Sequence, residues 1–130
     1  MTFDYQSFNL PVAEVVPDIR KALEKNNTLV IKAPTGAGKS TLLPISLLEE
    51  DWLDGKKIIM LEPRRLAAKT VAMRMADMIG EKAGETIGYR IRFEQKISKQ
   101  TRLEVVTEGI LTRLIHEDNS LEDVGLIIFD

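Results

Sequence analysis

The stretch VIKAPTGAGKSTLLPISLL, Val30 to Leu48, constrains the fold more than any other part of the chain. A short β-rich run, TLVIKA (28–33), leads into a Gly-rich turn. Nearly all apolar, it reads as a buried strand of a parallel sheet. Residues from about Gly38 to Glu50 read as a helix, with Pro44 bending it. Gly36 and Gly38 carry no Cβ, so the loop can wrap closely round a small anion. Backbone N–H groups turned inward by such a loop form an anion cradle. Lys39 adds a point charge, and the Ser40 hydroxyl suits a hard cation such as Mg²⁺.

Strand, Gly-rich turn and Lys-Ser at a helix start make up the layout of a P-loop. The strict pattern has Gly where this chain has Ala33, but the context on both sides is right. The usual partner of such a loop is an apolar strand ending in Asp. LIIFD (126–130) has that form, and Asp130 lies about 90 residues beyond Ser40. Asp130 is thus the candidate carboxylate for the Mg²⁺ that accompanies a nucleotide. A P-loop alone does not select among kinases, GTPases, transporters and motors.

The rest of the chain alternates strands and helices. Pro17 opens a short helix that KNN (25–27) ends. KKIIMLEP (56–63) reads as a strand stopped by Pro63. RRLAAKTVAMRMADMIG (64–80) reads as a helix, apolar over a wide arc and packed on two sides, with Gly80 just past its end. Its methionines read as core. TIGYRIRF (86–93) reads as an edge strand, TRLEVVT (101–107) as another strand, and EGILTRLIHED (108–118) as a helix. VGLIIFD (124–130) reads as a final buried strand. The alternation predicts an α/β fold, a parallel sheet with helices on both faces.

The bulk numbers exclude several classes. At 130 residues the chain is one domain or less. It has no Cys, so neither disulfides nor thiolate zinc sites are available, and a single His cannot build a metal centre. No segment has the apolar length of a membrane span. The N-terminus lacks the pattern of a signal peptide, leaving the cytoplasm as the default compartment. A net charge of −2 gives no general support for nucleic-acid binding. Any such binding must be local, and Arg90, Arg92, Lys96, Lys99 and Arg102 form one basic cluster.

Four further stretches narrow the choice. APTGAGKST (33–41) resembles motif I of superfamily-two helicases. LEPRRLAAKTVAMR (61–74) resembles motif Ia of their DEAH/RHA branch. GYRIRFE (88–94) resembles the segment that carries that branch's Arg-Phe hook, and TEGILTR (107–113) is similar to motif Ib. LIIFD would open motif II. The motifs occur in the family's order from about Leu10 to Asp130, and their wording is nearest that of bacterial HrpB-type ATP-dependent helicases.

The resemblance implies a P-loop NTPase of RecA-like fold. The chain would be the N-terminal part of the first RecA-like helicase domain, over residues 1–130, with the second RecA-like domain and C-terminal domains absent. It implies ATP or another NTP, with Mg²⁺, as cofactors. Thr35, Gly36, Ala37, Gly38, Lys39, Ser40 and Thr41 would hold the triphosphate, Ser40 and Asp130 the metal, and Arg74 would stack on the base. Arg64, Arg65, Arg92, Phe93, Thr107 and Gly109 would contact the backbone of a single nucleic-acid strand, RNA as first choice. Plain structural readings stand beside these. Arg64 and Arg65 could pair with acids, Thr107 could cap the helix at 108, Phe93 could be core, and His116 reads as surface.

The family's motif II continues with Glu, which this sequence does not contain after Asp130. Hydrolysis needs such a water-activating group and charge from across the cleft. The polypeptide is therefore expected to show no significant ATPase or helicase activity alone. In the family, the strand after motif II inserts between the strands of motifs I and II. Without it, open sheet edges and self-association are expected. Two rivals remain. A P-loop phosphotransferase leaves PRRLAA and TEGILTR without a purpose. A non-catalytic nucleotide- or RNA-binding unit differs in lacking turnover.

Overall fold

The computed structural model describes residues 3–34, 36–117 and 121–130. Two short 3₁₀ turns, Tyr5–Phe8 and Pro11–Val15, precede helix α1, Val16–Lys25. Pro17 sits in the first turn of α1, where a missing N–H breaks no bond. Asn26 ends the helix, its backbone N–H and side-chain amide both donating to the Ala22 carbonyl. Then follow α2 (Leu42–Ser46), β1 (Lys57–Leu61), α3 (Arg65–Met78), β2 (Ile87–Ile91), β3 (Glu94–Lys96), β4 (Leu103–Val106), α4 (Glu108–Glu117) and β5 (Val124–Phe129).

The five strands form one sheet in the order β3-β2-β4-β1-β5. β2, β4, β1 and β5 run parallel, and β3 returns antiparallel on β2. One face carries Ile58, Met60, Ile87, Tyr89, Leu103 and Val105, buried beneath helices together with Leu42, Ala72 and Met75. On the other face Ile59 and Val106 pack with Ile110 and Leu111 of α4. The α/β expectation of a parallel sheet with helices on both faces therefore holds.

Several local expectations do not. Residues 28–34 form no strand. Extended backbone becomes a strand only by pairing, and neither edge strand of the sheet pairs with this segment; Val30 is 83% exposed. β5 is accordingly an edge strand rather than a buried one, with Phe129 72% exposed. β2 is not an edge, because the hairpin strand β3 covers it. The helix after the loop is only Leu42–Ser46. Pro44 thereby falls in its first turn, among the N–H groups that have no intrahelical acceptor, and causes no interior kink. The chain continues through tight turns, with Leu47 and Leu48 donating to the carbonyls of Pro44 and Ile45.

Helix α3 packs on one side only. Ala68, Ala72, Met75 and Ala76 are buried, whereas Leu66 and Met73 are exposed. Small residues along the buried stripe let the helix lie close over β2 and β4. Gly80 follows with φ +76°, its N–H donating to the Asp77 carbonyl, a left-handed exit that favours glycine.

The hairpin depends on one glycine. A Cβ at Gly88 of β2 would collide with the Lys96 carbonyl oxygen and stand 3.1 Å from Ile97 Cγ2. A polar network also fixes the hairpin to α3. The Tyr89 hydroxyl donates to Glu94, and Lys69 Nζ lies 2.8 Å from the same carboxylate. Lys69 first, then Tyr89, holds the Glu94 carboxyl below its usual range.

Candidate nucleotide site and strand-binding face

Parallel strands point their carboxyl ends the same way, and ligands of open α/β sheets bind beyond those ends. Here that edge gathers the candidate residues. Glu62, Arg64 and Arg65 follow β1, Arg92 and Phe93 follow β2, Thr107 follows β4, and Asp130 follows β5. A cleft of about 620 Å³ opens at one end of this edge. It is lined by the loop residues Gly36 to Thr41 and by Glu62, Arg64, Arg74 and Asp130, among others.

The loop is strained toward glycine where it turns. Gly36 and Gly38 have φ of +87° and +94°. At Gly38 there is also no room, since a Cβ would lie 3.0 Å from Leu10 Cδ1 and from Val12 Cγ1. The Val12 N–H donates to the Ala37 carbonyl at 2.9 Å, so the N-terminal segment braces the loop from behind. The Gly38 carbonyl accepts from the N–H groups of Thr41 and Leu43. Thr35, expected in the cradle, lies outside the described residues.

Ser40 and Asp130 meet although 90 residues separate them. The Ser40 Oγ lies 3.0 Å from each Asp130 carboxylate oxygen and donates to them. Lys39 Nζ is 4.0 Å from Asp130 Oδ1. The Asp130 N–H continues the β5 ladder by donating to the Leu61 carbonyl. Ser40, Asp130 and Glu62 are hard oxygen donors, the set that suits Mg²⁺.

Glu62 was not among the residues singled out from the sequence. Its N–H donates to the Val106 carbonyl, which sets it at the end of β1 beside Asp130. Burial pushes its carboxyl up to about 7. A hydrogen bond with Asp130 and that residue's charge add to the rise, and the Arg64 guanidinium opposes it. Strand parity carried the signal. Leu61 pairs with Phe129, so the next residues, Glu62 and Asp130, are neighbours.

The candidate strand contacts divide. Arg65 Nη2 donates to the Arg92 carbonyl at 3.0 Å, tying the start of α3 to the hairpin turn. The Arg92 guanidinium sits 4.8 Å from the centre of the Phe93 ring. Phe93 is 90% exposed with φ +69°, so it is not core. Thr107 is 9% exposed and its carbonyl accepts from Leu111 within the first turn of α4. Gly109 is exposed, with open space where a Cβ would stand. Arg64 lines the nucleotide cleft, as does Arg74.

The model of the DEAD/DEAH box helicase family matches residues 13–130. The chain belongs to that family. The curated relatives include the ATP-dependent RNA helicase HrpB of Escherichia coli, 53% identical over 94% of this chain and 15% of the relative. The ATP-dependent RNA helicase HrpA of Borreliella burgdorferi is 36% identical over 95% of the chain and 15% of the relative. The crystal structure of the E. coli DEAH/RHA helicase HrpB superposes with a TM-score of 0.89 at 53% identity. That match covers 93% of this chain and 15% of the other. The chain thus spans about 15% of the length of these helicases. The RecA-like P-loop fold and the DEAH/RHA resemblance read from the motifs both stand. No described helix is long and apolar enough to cross a membrane.

Proposed function

We propose that these residues form the nucleotide cradle and part of the strand-binding face of a cytoplasmic ATP-dependent RNA helicase. The observation that carries the reading is the convergence of Lys39, Ser40 and Asp130 at one cleft, with Arg74 on its wall. A triphosphate in the loop would draw Lys39 away from Asp130 and onto phosphate. Ser40 and Asp130 would hold the Mg²⁺, which neutralises phosphate charge as it develops. Arg74 offers a flat guanidinium for a base, a contact that tolerates several bases. In the parent protein, hydrolysis would drive translocation along the strand and its unwinding. The groups that line the cleft bind and neutralise phosphate, so this polypeptide is expected to bind nucleotide without turning it over. Calorimetric titration with ATP and Mg²⁺, with phosphate release followed in the same sample, tests this. Sustained Lys39-dependent turnover would overturn the non-catalytic part, and absence of binding would overturn the whole.

The strand face is tested separately. Arg92→Ala and Phe93→Ala should each weaken single-stranded RNA binding, the second by about 1–3 kcal/mol if the ring stacks on a base. Folding should be unaffected, since both side chains are exposed. Fluorescence anisotropy with a labelled oligonucleotide reads the effect, and unchanged affinity in both variants would remove the hook from the interface.

The sheet edge has a consequence of its own. Between β5 and residues 27–31 runs a groove of about 660 Å³, lined largely by apolar side chains. We propose that this open edge promotes self-association of the 130-residue chain. Sedimentation velocity across a dilution series should show concentration-dependent mass, and a monomer throughout would refute it.

A further inference from the structure

Glu62 and Asp130 follow directly on the paired residues Leu61 and Phe129, at the carboxyl ends of neighbouring parallel strands. Alternation along the two strands sends both side chains to the same face of the sheet, opposite to Leu61 and Phe129. Both line the cleft that holds Lys39 and Ser40. Two carboxyl groups so close repel when both are charged. Two cations offset that repulsion: Arg64 attracts Glu62, and Lys39 lies 4.0 Å from Asp130. A bound triphosphate competes for Lys39 and Arg64. The two acids are then left facing a phosphate chain that is itself negative. A cation at that point restores the balance with both acids charged, and oxygen ligands select a hard one.

We propose that Glu62 is a positioning residue of the divalent-cation site, fixing the Asp130 carboxylate and adding its own negative charge beside it. The inference rests on the reading of the loop as a nucleotide cradle and names a residue that the motif pattern of loop lysine, hydroxyl and strand-end Asp does not include. Its effect falls on the metal rather than on the phosphates. A residue of this kind, acting through a metal ligand, changes metal affinity by about 10–100-fold.

The test uses the 130-residue chain and ADP, titrated once with Mg²⁺ and once with EDTA. The readout is the ratio of the two affinities. Glu62→Gln preserves shape and hydrogen bonding but removes the charge. It should cut the Mg²⁺-dependent gain by about tenfold and leave the EDTA affinity equal or slightly tighter, because one negative charge near phosphate is gone. Glu62→Asp should recover part of the gain. A Glu62→Gln ratio equal to that of the wild type would overturn the proposal. So would an equal loss in both arms, which marks a structural role. Lys39→Ala separates this proposal from the cradle reading, since it should weaken both arms together. If the wild-type chain binds in neither arm, the cradle reading itself fails and this proposal with it.

Discussion

Replacing Lys39 with alanine is expected to weaken Mg²⁺·ATP binding by roughly 100-fold, or about 3 kcal/mol. The size follows from where the ammonium stands. It emerges from a loop that turns through two left-handed glycines, and its nearest counter-charge is the strand-end carboxylate, 4.0 Å away. A triphosphate brings far more negative charge to that spot than one carboxylate does. Removing the lysine leaves phosphate oxygens facing Asp130 with no compensating cation except the metal. The fold should survive, because Lys39 is not part of the buried core. Circular dichroism provides that control, and calorimetry reads the affinity. Wild-type affinity in the variant would place the phosphates somewhere other than this loop.

Gly88→Ala is expected to destabilise the fold strongly, through the contact an added methyl group makes with backbone. The added methyl group meets the Lys96 carbonyl oxygen, a backbone atom held in the β2–β3 ladder. A flexible side chain could swing aside, but a ladder carbonyl can move only by breaking the hairpin. Overpacking of this kind costs about 1–3 kcal/mol. For a chain of this size each kcal/mol lowers the melting midpoint by about 4 °C. The loss should extend beyond stability. The hairpin carries Arg92 and Phe93 at its tip, so strand binding should fall while nucleotide binding stays. A thermal melt and two binding titrations check this, and an unchanged melt would show that β3 is not fixed against β2. By contrast, Gly109→Ala meets nothing and, by replacing a helical glycine in α4, should leave the melt unchanged or raise it slightly.

The parts of this fold that were legible in the sequence are those set by local chemistry. Pro17 marked a helix start, Gly80 a helix exit, and Ser40 with Asp130 a pair that the structure brings to 3.0 Å. What escaped depends on neighbours. TLVIKA has every local property of a strand, yet a strand exists only through pairing, and no strand pairs with it. GYRI looked like an edge because EQK, three polar residues, carries no apolar signal for the hairpin strand that covers it. Leu66 and Met73 looked like core because a wide apolar arc does not say how many layers will meet it. Glu62 was hidden for another reason. Its position in the cleft follows from the register of β1 against β5, which no single segment contains.

The contact between Val12 and Ala37 bears on how this chain is handled at the bench. The loop's rear wall comes from the beginning of the polypeptide, well before any residue that would touch a phosphate. Trimming the chain to Val12 or beyond, or fusing a bulky tag directly against Leu10, would withdraw the atoms that lie 3.0 Å from the space Gly38 leaves open. The cradle would then be free to sample other shapes, and a titration would report poor affinity from a protein whose ligating groups are all intact. Such a result belongs to the cloning boundary, and only the sample with its leading segment in place can speak for the site.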